Sequence, residues 1–279
     1  METEIKVCSL SSGSDTDIAD IYDYFELRKR VYDSKFDGYL DYYDNYPTKH
    51  DIRESTLFLV FKAFDPETNE EVVFGGRRIV FDRSSEANTE NDLLPFDGRH
   101  KIIRREEANR FKTLIGKDAI DIEDVIPALS TPEDIRYAEF GAFAIDRGIS
   151  DKFFAKEEYI EFREKSYQKA IDVVKDNDVD IALIDGSSKE NNLSNQIEWL
   201  KSSKSDFIKL HRTSNLVDGP FPGDAHSELL IVNVSERFYL KGNPESILRF
   251  NQKASFEERE KKRREDKELH KHIWTTTFG

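Results

Sequence analysis

The sequence predicts an α/β fold in which a mixed sheet is sandwiched by helices. Three observations predict it. Apolar runs of strand length recur along the chain, such as Leu57-Phe58-Leu59-Val60-Phe61 and Tyr137–Ile145. Between them lie segments whose apolar residues return at helical spacing. The 279 residues are 37% hydrophobic and 12% aromatic, with 20 Phe and 11 Tyr, enough to fill a core and to exclude wholesale disorder.

Residues 4–10 alternate apolar and polar, a first strand. Ser11–Asp15 is a turn, after which Asp15 or Asp17 caps a helix. Ile18, Ile21, Tyr22, Phe25 and Val31 mark that helix over residues 18–32. Residues 33–50, rich in Asp, Tyr, Gly and Pro, form a loop with aromatic anchors. Thr56–Ala63 is an apolar strand, 65–69 a turn, and Glu71–Phe81 the return strand. Gly75-Gly76 interrupts that strand, which marks a bulge or the close approach of another group. Residues 83–134 read as irregular, with one short helix near 104–115. Tyr137–Ile145 is a strand that is apolar except for Glu139. A helix follows over 156–177, then a buried strand over 178–184, a helix over 193–200, and strands at 207–210 and 229–234. No repeat and no linker is visible, so residues 1–250 are read as one domain. Residues 251–279 are read as a charged helical tail, where Glu257/Lys261, Glu258/Lys262 and Glu260/Arg264 make i,i+4 pairs of about 0.3 kcal/mol each; a solvated terminal helix is its plain reading.

The net charge of −14 repels phosphates and anionic membranes, so nucleic acid is not expected as a partner, although local basic patches can override the average. The lone Cys8 cannot form an internal disulfide, which fits a reducing compartment, and the acidic N-terminus carries no apolar signal region. No apolar run approaches the length of a membrane span. The expected location is the cytoplasm. The six histidines form no H-E-x-x-H pair, and one cysteine cannot build a zinc ribbon, so no metal site is expected. Phosphate-binding glycine loops and a G-x-S-x-G elbow are absent. Asp224, His226 and Ser227 lie together, but triads assemble from distant segments, and a Pro/Gly-rich loop accounts for them.

Glu139 is the informative residue. By period-2 alternation Tyr137, Glu139, Gly141, Phe143 and Ile145 share one face. A carboxylate among aromatics loses hydration, which raises its pKa toward neutrality, where a general base works best. Gly141, Ala142 and Ala144 leave room for an extended ligand along the strand. The competing reading is a Glu paired with a core Arg for packing alone.

These residues fall into an ordered constellation that resembles the acyl-homoserine-lactone (autoinducer) synthases and, more loosely, the long-chain N-acyl amino acid synthases of the acetyltransferase-like GNAT superfamily. It covers roughly residues 20–150, with weaker similarity to about 235. Leu27-Arg28-Lys29-Arg30-Val31-Tyr32 is similar to the family's L-R-x-x-x-F. Gly38-Tyr39 falls near its conserved Trp, which is missing here. Asp51 stands before the strand Leu57–Phe61, Gly75-Gly76-Arg77-Arg78-Ile79 resembles the strand with a conserved Arg, placed at Arg77, and Glu139 with Phe143-Ala144-Ile145-Asp146 resembles E-x-x-R-F-x-[VI]-D. Ala142 replaces the Arg of that last motif, and Thr48 stands where a second family Asp would be.

The resemblance implies a GNAT-like, mostly antiparallel mixed sheet between helices and an N-acyltransferase. A fatty acyl group would pass from acyl carrier protein or acyl-CoA, with no permanently bound cofactor, to a small amine such as an amino acid. Glu139 would be the general base. Arg28, Tyr32, Asp51 and Arg77 would meet substrate, and Ala142, Phe143, Ala144, Ile145 and Gly148 would hold the donor, with Asp146–Ser150 opening a helix toward a phosphate. The tail would enter a core pocket lined by Phe and Leu. Arg28-Lys29-Arg30, Arg77-Arg78, Arg99-His100-Lys101 and Arg104-Arg105 would offer a basic face to an acidic carrier protein, or else are solvated surface charge. Three alternatives stand beside this: an acyl-homoserine-lactone synthase proper, a non-catalytic GNAT-like binding domain, and an ordinary acetyltransferase. For Arg28 and Arg77 the structural alternative is a buried ion-pair network with Asp51 that orders the N-terminal lobe; for Tyr32 it is the core.

Overall fold

Alternation and propensity place seven of the nine strands where they were expected, and two short ones, at 102–103 and 120–121, fall in the stretch read as irregular. In the computed structural model β1 is Thr3–Cys8, β2 Thr56–Asp65, β3 Glu70–Phe81, β4 Ile102–Ile103, β5 Ile120–Asp121, β6 Tyr137–Ile145, β7 Ile181–Ser187, β8 Asp206–His211 and β9 Ser227–Asn233. The helices are α1 (Asp15–Lys35), α2 (Arg147–Phe153), α3 (Lys156–Asp176) and α4 (Asn192–Ser202). The structure describes residues 3–35, 50–65, 67–81, 102–103, 120–121, 136–187, 192–211 and 227–235. The loop at 36–49, the helix near 104–115, the Asp224–Ser227 group except Ser227 and the charged tail lie outside them. Seven strands pair in the order β1-β2-β3-β6-β7-β9-β8, and β4 pairs with β5 in parallel. The pairings β1–β2, β2–β3, β7–β9 and β9–β8 are antiparallel. The result is the mixed, mostly antiparallel α/β fold the sequence predicts.

The described residues divide into two compact units, those within 3–80 and 140–172, and those within 81–139 and 173–235. In the first unit, β2 shows two buried faces in strict alternation. Phe58 and Val60 face α1, in a cluster with Ile21, Tyr24, Phe25, Leu27 and Val31. Phe61 faces α3, its ring 5.3 Å from Phe162, and Phe74 lies 5.1 Å from the same ring. Each such aromatic contributes about 2–3 kcal/mol by leaving water. The β2–β3 register slips at Phe61/Lys62, where Gly75 faces Phe61 and Val73 faces Lys62, so Phe74 is the extra residue of a bulge. In the second unit the interior of β7 and β9 is buried, from Ile181–Ile184 to Leu230–Val232.

Local chemistry sets the ends. Ser14, not Asp15 or Asp17, caps α1: its Oγ accepts from the Asp17 N–H at 3.3 Å while Asp17 Oδ2 accepts from the Ser14 N–H at 2.8 Å. This is a reciprocal capping box, and the expectation of an aspartate cap is corrected to its partner role. Asp178 adopts φ 55°, and the N–H of Val179 returns to the carbonyl of Val174 at 3.0 Å. That closing motif consumes residues 177–180, so β7 starts at Ile181 rather than at 178.

Candidate active site

Of the residues singled out by sequence, those of the first unit lie on α1 (Arg28, Tyr32), before β2 (Asp51), on β3 (Arg77), on β6 (Ala142–Ile145) and in α2 (Gly148). Tyr24, Arg28 and Tyr32 follow one another at i, i+4 and i+8 and so form one stripe of α1. The Tyr24 hydroxyl donates to the carbonyl of Ala142, and the Tyr32 hydroxyl donates to the carbonyl of Phe143 at 3.0 Å. Tyr32, expected as a substrate contact or core residue, therefore clamps the backbone of the expected donor strand. Tyr24 was not singled out in the sequence; its helical spacing from Arg28 was the available signal. Burial raises the Tyr24 phenol above its ordinary pKa, so it stays a donor at neutral pH.

Between the clamped carbonyls the backbone leaves the pleat. Ala142 has φ 52°, a left-handed conformation that costs an L-residue about 1–2 kcal/mol. Period-2 alternation therefore does not run through β6. Phe140 and Phe143, which alternation puts on opposite faces, both reach the Arg77 guanidinium, with centroids at 5.6 and 4.9 Å. Gly75 lies against the same segment: a Cβ there would sit 2.8 Å from the Ala144 carbonyl oxygen and 2.8 Å from Ile145 Cγ1. The close approach expected at Gly75-Gly76 is thus β6 on one side and α1 on the other.

The ion-pair network exists, with one change of member. Asp51, fully buried, accepts from Arg28 through two bonds, 3.0 and 2.7 Å, and from Arg78 Nη1 at 3.1 Å. Arg78, not Arg77, joins it. The register explains this: Arg78 pairs with Phe58, whose side chain faces α1, whereas Arg77 pairs with Leu59 on the other face. Arg77 instead stacks on Phe140, Phe143 and Tyr167, the last at 5.0 Å. It is 2% exposed, and burial pushes its pKa down to about 10, which leaves it protonated at neutral pH. Cation–π contacts return about 2 kcal/mol, less than the several kcal/mol that burying a cation costs.

Glu139 is fully buried in β6, immediately before Phe140, and belongs to the second unit. Gly148 lies in the first turn of α2, where Asp146 Oδ1 already accepts from the Ile149 N–H at 3.2 Å. A phosphate placed there would meet that carboxylate. The expected basic face also needs correction: Arg28, Arg77 and Arg78 are buried, and of the first cluster only Arg30 is exposed. Residues 99–105 carry no described side chains. Among the described residues no three His, Cys, Asp or Glu side chains converge as metal ligands, and no helix is long and apolar enough to cross a membrane.

No family model and no curated protein matches the chain. Among solved structures it is similar to acyltransferases. FeeM, an N-acyl amino acid synthase from uncultured soil microbes, shares 13% identity at a TM-score of 0.45, over 84% of this chain and 93% of that one. The AHL synthase LasI shares 12% at 0.45, over 90% and 99%. BjaI, a CoA-dependent acyl-homoserine lactone synthase, shares 10% at 0.46, over 94% and 99%.

Proposed function

We propose that the chain is an N-acyltransferase that moves an acyl group from a thioester to the amine of a small acceptor along β6. The observation that carries this reading is the left-handed Ala142, fixed in mid-strand by Tyr24 and Tyr32 just after the buried Glu139. A strained backbone held by the surrounding structure is typical of functional sites, and the half-buried Gly141 and Ala142 present little side-chain bulk to an extended donor arm. In this reaction the acceptor nitrogen attacks the thioester carbon, a C–N bond forms, and the C–S bond breaks. Glu139, directly or through a water, takes the proton that the nitrogen loses, and the departing thiolate is protonated from solvent. Tyr24 and Tyr32 hold β6 by its carbonyls, while the Arg28–Asp51–Arg78 network ties α1 to β3. The donor is an acyl-CoA or an acylated carrier protein, and the free, buried Cys8 fits work in the reducing cytoplasm.

The test is thiol release from acyl-CoA and from acyl carrier protein, each with free amino acids, together with mass spectrometry of lipids from expressing cells. Glu139→Gln should lower turnover by about 10²–10⁴-fold with the fold intact. An N-acyl product that persists at full rate in that variant would remove Glu139 as the base. No thiol release from any acyl-thioester would remove the enzyme reading.

A further inference from the structure

A buried guanidinium normally brings its own carboxylate, and Arg78 obeys that rule through Asp51. Arg77 does not. Among the described residues no carboxylate bridges it, and its buried Nη2 has no hydrogen-bond partner. What surrounds it is a wall of rings, Phe140, Phe143 and Tyr167, with centroids 4.9–5.6 Å away, while Arg163 adds a second positive charge nearby. Ring faces attract a cation but offer no oxygen to its N–H fork. The cage is rigid before any ligand arrives. Ala142 turns Phe140 and Phe143 to the same side, Tyr32 fixes the Phe143 carbonyl, and the Arg163 Nη2 bond of 2.8 Å fixes the Tyr167 hydroxyl.

We infer that Arg77 is the anchoring site for a substrate carboxylate. A guanidinium fork binds a planar, singly charged carboxylate through two parallel hydrogen bonds, and the aromatic walls keep out the water that would weaken them. A diphosphate carries more charge and a larger hydration shell and suits several exposed cations better than one buried one. Arg77 is also placed apart from the network that orders the lobe, so its charge is not needed to hold Asp51. In an acyl transfer the carboxylate has two sources. It belongs to the acceptor, which is then an amino acid and not a simple amine, or to the far end of the acyl group, which is then dicarboxylic and not a plain fatty chain. The choice of sources rests on the acyl-transfer reading; the anion site itself rests on what surrounds Arg77.

Equilibrium binding to the full chain, measured by calorimetry, tests the site without turnover. In one arm glycine, leucine, phenylalanine and tyrosine are compared with methylamine, isopentylamine, phenethylamine and tyramine. In the other, adipoyl-CoA is compared with hexanoyl-CoA. The carboxylate member should bind at least about tenfold tighter in one arm, which names the source. That preference should vanish in Arg77→Met and persist, weakened, in Arg77→Lys. Arg77→Met should melt no lower than the natural chain, because it replaces a cation that lacks a carboxylate with an apolar chain of similar reach. No preference in either arm, a preference that survives Arg77→Met, or a loss of several degrees in that variant overturns the site. Carboxylate preference without thiol release in the turnover assay leaves the anion site standing and removes the acyl transfer; thiol release without carboxylate preference does the opposite.

Discussion

The ring of Tyr24 stands 2.5 Å from the point that a Cβ on Gly76 would occupy. Gly76 therefore lets α1 lie close enough to the sheet for the Tyr24 hydroxyl to reach the Ala142 carbonyl. A methyl group at position 76 has nowhere to go, since the Leu59 carbonyl oxygen is 2.9 Å away on its other side. Gly76→Ala should cost about 1–3 kcal/mol, at the upper end because both obstacles belong to the buried interior. Thermal unfolding should fall by several degrees, and the fall should shrink in the Gly76→Ala, Tyr24→Leu double variant. Equal losses in the two backgrounds would show that the ring is not the obstacle.

Asp51 serves two cations at once, Arg28 through both oxygens and Arg78 through one. Asp51→Asn should destabilise the chain by about 3–5 kcal/mol, because it leaves both guanidiniums buried beside a neutral group. Arg78→Met should cost less, about 1–2 kcal/mol, since Asp51 keeps Arg28. Denaturant titrations give both values directly. The reverse order of severity would show that Asp51 is not the hub.

Much of this arrangement was legible in the sequence, and the exceptions have physical reasons. The paired glycines announce themselves because missing side chains in a strand are costly unless something uses them, whereas Arg28 and Asp51 were legible through the resemblance of the ordered constellation. Which of two adjacent arginines meets Asp51 was not legible, because it depends on the face β3 presents to α1, and the bulge at Phe74 shifts that register. The left-handed residue was hidden for a different reason. Glycine takes a positive φ most readily and Gly141 stands next door, yet the backbone puts it on Ala142, where the clamp by Tyr24 and Tyr32 holds it. The pairing of Phe140 with Phe143 on one cation follows from that same residue.

Ala142→Gly isolates the strain. Glycine adopts φ 52° without the Cβ clash worth about 1–2 kcal/mol, and gives back about 0.5–1 kcal/mol in chain entropy. The variant should be up to about 1 kcal/mol more stable, a rise of a few degrees in melting temperature. Destabilisation would contradict the left-handed assignment. A more stable variant with slower thiol release would tie the strain to the reaction.

The first unit should also respond to pH from both ends. Asp17 is held down at about 2, first by its bond to Lys6 and then by the Ser14 backbone and hydroxyl. Its folded value lies below its ordinary 3.8, so its contribution is complete above pH 4 and is lost as pH falls toward 2. Cys8 behaves oppositely. Burial pushes its thiol up to about 12, against an ordinary 9.0, with Lys6 pulling slightly the other way. A raised folded value means that its contribution is complete below pH 9 and disappears as pH rises toward 12. At pH 8 the thiolate is scarce and enclosed, so a thiol-reactive probe should label the folded chain far more slowly than the denatured one, where one equivalent reacts. Cys8→Ser should flatten the alkaline loss of stability and leave the acid limb near pH 2–4 intact. An alkaline limb that persists unchanged would assign it instead to Tyr24, whose phenol burial raises, and to Lys6, whose bonds to Asp17 and Asp20 raise its ammonium.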